Sequence, residues 1–168
     1  RAHSGAPASG ENNRTLQPQR GVRPEGFRAP YCSSPDDTAF RDDFEAGRVG
    51  TEGFRHRDHL RLAYVYLCES DVESAHRRMR ESIERFLALH GVDAGKYHET
   101  LTLAWIQAVR HFIEQCPNAD SFDAFCAHDP RLLDVAIMDT HYSRDCLFAP
   151  SSRTHFAAPD RAPIPQYE

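Results

Sequence analysis

The chain has 168 residues, 40% of them hydrophobic and 27% charged, which is enough to bury one globular core but leaves little length for a second. Its formal net charge is −5, with no Lys/Arg run longer than two residues, so the electrostatic footprint expected for a nucleic-acid backbone or an anionic membrane is missing. The five cysteines (Cys32, Cys68, Cys116, Cys126 and Cys146) are odd in number and scattered with no C-x-x-C pair, against both a disulfide framework and a zinc ribbon.

Residues 1–38 hold five prolines, four glycines and only four large apolar residues, Leu16, Val22, Phe27 and Tyr31. Such a segment buries too little to offset its ordering entropy, and it is read as a flexible arm before a single helical domain over 39–168. No apolar stretch approaches the roughly 18 residues of a membrane span and no signal-peptide core precedes the fold. The expected setting is cytoplasmic, although Arg1 in place of an initiating Met leaves room for a segment upstream.

The first helix is expected over 54–68, where His56, His59, Leu60, Ala63, Tyr66 and Leu67 share one face. Ser70-Asp71-Val72-Glu73 reads as a capping box that opens a second helix, with Val72, Ala75, Met79, Ile83 and Phe86 on its inner stripe and Gly91 as its stop. A third helix is expected over 94–115, carrying Tyr97, Leu101, Trp105, Ala108, Val109 and Phe112 inward, with Pro117-Asn118 after it. Short helices follow at 121–127 and from the Asp129-Pro130 start, then one more turn through Leu147. The last residues, punctuated by Pro150, Pro159, Pro163 and Pro165, read as an extended strap. The fold class is therefore all-α, a compact bundle of about five helices.

The histidines carry the chemical expectation. His56 and His59 stand at i, i+3 on a core-facing stripe, a spacing that points two imidazoles at one ion from adjacent turns. His98 on a facing helix and His141 after the fifth are the candidate third and fourth ligands. Neutral imidazoles without thiolates fit iron or copper best, with zinc also possible. An open coordination position then allows dioxygen activation on a small organic substrate, whereas zinc there favours hydrolysis. Glu99 lies about 100° around the helix from His98, so it is assigned as an acid/base on the pocket wall or as a partner to a ligand. Tyr142 is the other catalytic candidate; with Tyr97 and Trp105 it would make an aromatic wall, and Arg153 is placed to hold an anionic group of the substrate. Glu73 and His76 form one E-x-x-H motif where a di-iron bundle needs two.

Through Phe54-Arg-His-Arg-Asp-His-Leu-Arg61, Lys96-Tyr-His-Glu-Thr-Leu-Thr102, His141-Tyr-Ser143 and Pro159-Asp-Arg-Ala-Pro-Ile-Pro165, the chain resembles a group of small, uncharacterised bacterial helical proteins. The resemblance spans about residues 40–165 and implies that these motifs belong to one unit; it implies no activity. The leading expectation is a metal-dependent oxidoreductase acting on a small molecule. The alternatives are a zinc hydrolase, a metal-free acid/base lyase or isomerase, and a non-enzymatic helical binding protein, any of them open to homodimer formation through spare apolar faces.

Overall fold

Ser34 starts the first helix. Its hydroxyl accepts the Asp37 N–H and the Asp37 carboxylate accepts the Ser34 N–H in return, both at 3.1 Å, while Pro35 supplies a first-turn residue that needs no donor. Helix α1 so formed spans Pro35–Glu45. The computed structural model describes residues 33–167. Helix α1 therefore begins inside the segment assigned to the arm, of which residues 1–32, with Leu16, Val22, Phe27 and Tyr31, lie outside the described residues.

Helix α2 (His56–Glu69) is the central rod: every residue from Leu60 to Cys68 is buried except Arg61. Helices α3 (Val72–Leu89) and α4 (Glu99–Gln115) pack against it and against each other, and α1 lies across α2 and α3. The expected capping box at Ser70 falls one residue later. Asp71 caps α3 by accepting the Ser74 N–H at 2.7 Å, while the Ser70 hydroxyl donates to the Tyr66 carbonyl at 2.8 Å and closes α2. Gly47, just past the end of α1, has φ 71°, and a Cβ there would lie 2.6 Å from the Leu89 Cδ1. Glycine thus lets the ends of α1 and α3 meet.

The helix expected over 94–115 is two elements. Ala94–Lys96 makes a single 3-10 turn, and α4 begins only at Glu99, with His98 as its N-cap. Helix α5 (Phe122–His128) follows, capped by Ser121. In place of a helix from Asp129 there are two 3-10 segments, Pro130–Leu133 and Val135–Thr140. The reason is local: the Asp129 and Asp134 carboxylates accept backbone N–H groups two residues on, from Arg131 at 3.1 Å and Ala136 at 3.0 Å, and each such bond restarts the chain. Short helices α6 (Arg144–Leu147) and α7 (Pro150–Thr154) come next, the second unforeseen in the sequence. The rest runs without regular structure back over the bundle, as expected. It is held by Thr100 between the His155 carbonyl and the Ala157 N–H, both at 3.0 Å, by Asp160 on the Ser143 N–H at 2.7 Å, and by the Arg161 N–H on the His141 carbonyl at 3.0 Å.

The fold is all-α, with no strand among the described residues. The main core lies between α1, α2, α3, α4 and α5, and a smaller one joins α4 to Met138, Tyr142, Leu147 and Ile164; Trp105 and Ile137 pack against both. At one end of the main core Phe44 stacks between Phe54 and Phe86, with ring centroids 4.9 and 4.7 Å away. Asp37, 2% exposed, accepts from the Phe122 N–H at 2.9 Å and from Arg61 Nε at 2.7 Å, tying α1 to α2 and α5. Burial pushes its carboxyl up, but hydrogen bonds from Phe122, Ser34 and Arg61 outweigh that and hold it below the usual carboxylate range. No helix among the described residues is long and apolar enough to cross a membrane.

Candidate functional site

A cavity of about 570 Å³ opens between α2, α3 and α4 on one side and the 3-10 segment and α6 on the other. Its inner wall is mostly apolar, with Ala63, Met79, Ile83, Leu101, Trp105 and Ile106. Exposed residues form its mouth, among them Lys96, Val135, Asp139, Arg144 and Phe148. The volume suits a small organic molecule.

His56 and His59 both line this cavity, because they fall one turn apart on α2 where the eight buried residues of that helix set its phase. His56 is hydrogen-bonded to the Leu132 carbonyl, and its Nε2 is buried with no partner among the described residues. A carbonyl only accepts, so with the proton on Nδ1 toward Leu132 the Nε2 atom is the acceptor of the ring. Burial lowers the tendency of His56 to charge, against the Leu132 bond and the field of Asp134, which favours the neutral ring. Trp105 meets this ring edge-on, with centroids 4.4 Å apart. His59 packs its ring against Phe54 at 4.5 Å; burial, and then the neighbouring His56, push its pKa down to about 4.

The other two candidate ligands are tied to the backbone, His98 through both ring nitrogens and His141 through Nδ1. His98 Nδ1 accepts the Leu101 N–H at 3.2 Å and caps α4, which leaves the proton on Nε2 to be donated to the Leu147 carbonyl at 3.0 Å. His98 lines the cavity, but neither ring nitrogen is open. His141 Nδ1 lies 2.9 Å from the Ala162 carbonyl and pins the C-terminal segment. Among the described residues, no group of three or more His, Cys, Asp or Glu side chains is placed to hold a metal ion. The four-histidine site expected from the sequence is therefore not assembled: His56 and His59 share the cavity, while His98 and His141 serve the main chain.

The remaining candidates divide in the same way. Tyr97 and Trp105 line the cavity. Glu99 does not; it accepts the Tyr97 hydroxyl at 2.6 Å, lies 3.2 Å from His76 Nε2 and 3.7 Å from Arg80, and so belongs to a polar cluster between α3 and α4. Tyr142 is 1% exposed and donates to the Ala157 carbonyl at 3.0 Å. Burial, with Cys146 and Asp160 adding to it, pushes Tyr142 up to about 12, so it is a protonated structural anchor away from the cavity. Arg153 does fold back, as expected, but its guanidinium donates to the Gly95 carbonyl at 2.9 Å and the Tyr97 carbonyl at 3.4 Å in place of any substrate group. No family model, curated protein or solved structure matches this chain.

Two contributors escaped the sequence reading. The Leu132 carbonyl orients His56, and since any residue has a carbonyl, no side-chain signal marks that role. Thr102 also lines the cavity, with its hydroxyl on the His98 carbonyl at 2.8 Å, a helical back-bond that any threonine one turn along can make. The arrangement offers an apolar slot, two neutral imidazoles one turn apart, and charged groups confined to the mouth.

Proposed function

We propose that the protein binds a small, largely apolar organic molecule bearing one O–H or N–H group, and that His56 accepts that proton. The observation that carries this reading is the Nε2 of His56, buried without a hydrogen-bond partner on a residue that lines the cavity. A buried acceptor left empty costs about 1–3 kcal/mol, which a donor on a bound molecule recovers. A carbonyl-held imidazole with a free Nε2 is also a general base, so the chemistry this site favours is proton removal and return, as in an isomerase or lyase. No metal is needed for that step.

Trp105 is the one tryptophan in the chain and touches His56, so its fluorescence reports occupancy directly. Titration with phenol and with toluene separates hydrogen bonding from apolar filling. Phenol should bind about tenfold more tightly despite being more polar, and the preference should vanish in His56→Leu. Equal or tighter binding of toluene to the unaltered protein, or no saturable change with either, refutes the reading.

A second reading is supported by the two neutral imidazoles one turn apart. Nε2 of His56 is an atom a transition metal can take, with His59 beside it and water or substrate completing the sphere. Iron or copper there would serve oxidation and zinc hydrolysis. Metal content measured by inductively coupled plasma mass spectrometry after anaerobic loading, in the unaltered protein and in His56→Leu, decides between the two.

A further inference from the structure

A separate cavity of about 330 Å³ lies on the other side of the α3 and α4 pair, roofed by the end of the C-terminal segment at Pro165 and Tyr167. Its lining includes Glu73 and His76, the E-x-x-H pair that the first cavity leaves unused. The Gln107 side chain also lines it. Gln107 is 9% exposed, yet its amide has no hydrogen-bond partner among the described residues. Neither amide atom is sealed from solvent, so the amide meets the cavity and is free to bond a ligand there.

The charges around that space decide what kind of ligand. Arg110 is the one arginine or lysine in the described lining, and its guanidinium is bonded to Glu114 at 2.6 Å. His76 Nε2 lies 3.2 Å from the Glu99 carboxylate. Glu73 at the rim makes no ion pair among the described residues. Tyr167 adds an aromatic ring to the lining, held in place by its hydroxyl 2.7 Å from His111 Nδ1. The unmatched carboxylate and the aromatic ring favour a cation and disfavour an anion, and the Gln107 amide has an oxygen to offer it. We propose that this second cavity is a binding site for a small organic ammonium ion, with Gln107 Oε1 and the Glu73 carboxylate as its acceptors.

The test uses the full chain, isotopically labelled, titrated at constant ionic strength with n-butylammonium, n-butyrate and n-butanol. The signals followed by nuclear magnetic resonance are the Gln107 side-chain NH2 and the His76 ring. Saturable shifts with n-butylammonium alone, with the His56 ring unmoved, are the expected result. Gln107→Leu should weaken that binding about tenfold. Glu73→Gln, an exposed change that leaves packing alone, should weaken it several-fold and remove its dependence on salt. Butyrate shifting the same signals as well as butylammonium, no saturable response to butylammonium, or undiminished affinity in both variants overturns the proposal.

Discussion

Replacing His98 with alanine removes two interactions at once, and the structure allows each to be weighed. The Nδ1 acceptor caps α4 through the Leu101 N–H at 3.2 Å, and the loss of an N-cap costs about 0.5–2 kcal/mol. The Nε2–H bond to the Leu147 carbonyl at 3.0 Å is buried, and leaving a carbonyl unsatisfied costs about 1–3 kcal/mol. His98 is 7% exposed, so water replaces neither partner easily. The sum is about 2–4 kcal/mol after some relaxation, a large part of the roughly 5–15 kcal/mol available to a domain. His98→Asn separates the two contributions, because asparagine is a good N-cap but is too short to reach Leu147; it should recover about half of the loss. Urea unfolding followed by far-ultraviolet circular dichroism measures both variants. A loss below about 0.5 kcal/mol for His98→Ala, or an asparagine variant no better than alanine, refutes the assignment of His98 as a structural cap and reopens it as a ligand.

Acidification should destabilise the protein in a defined window. The His59 pKa of about 4 in the fold against 6.5 ordinarily means that the unfolded chain binds the proton more tightly, so stability is complete above pH 6.5 and is lost as pH falls through 4. That loss is roughly 3 kcal/mol by the linkage relation; His59→Phe should flatten the unfolding free energy across the window, and an unchanged slope counts against a buried neutral His59. Asp37→Asn should cost about 2–4 kcal/mol in urea unfolding, because it leaves Arg61 and the Phe122 N–H facing a weaker acceptor; a cost under 1 kcal/mol removes Asp37 as the tie between α1, α2 and α5. Gly47→Ala should cost about 1 kcal/mol through its left-handed backbone, with little added from Leu89, which is 61% exposed and free to move aside; Leu89→Ala in the same chain should therefore restore almost nothing, as thermal unfolding of the double variant would show.

The three long helices were legible because their periodicity is set by many apolar residues at once. In α3 the stripe Val72, Ala75, Met79, Ile83 and Phe86 allows only one phase, and all but Val72 are buried, Val72 packing at its edge. Helix α1 escaped because its apolar content is Phe40 and Phe44 alone, too little for a pattern. Its start was nonetheless written in Ser34-Pro35-Asp36-Asp37, a capping box with proline in the first turn. The two 3-10 segments were misread for a related reason. Leu132, Leu133, Ala136 and Ile137 repeat as a helix would, but Asp129 and Asp134 compete for backbone N–H groups and break the run every few residues.

The histidine pattern shows what separates a residue's position from its availability. His56 and His59 lie on a helix whose phase its core residues fix, so their sharing of one wall follows from spacing. His98 and His141 lie where elements end, and at ends the backbone exposes N–H and C=O groups that no helix satisfies. An imidazole has one donor and one acceptor when neutral, which suits it to that deficit: His98 spends both on Leu101 and Leu147, and His141 spends Nδ1 on Ala162. His56 also stands at a helix start, but the N–H groups there are served differently. The Asp58 carboxylate takes the Arg55 N–H at 2.8 Å, and the His56 imidazole caps no backbone donor of that turn. Among the described residues the Leu132 carbonyl is the one backbone partner of the ring, and Nε2 is left buried without a partner. Which histidine can do chemistry is thus decided less by helical face than by how many unsatisfied backbone groups surround it: of the three beside the larger cavity, His98 gives both nitrogens to the main chain, while His56 and His59 each keep an acceptor.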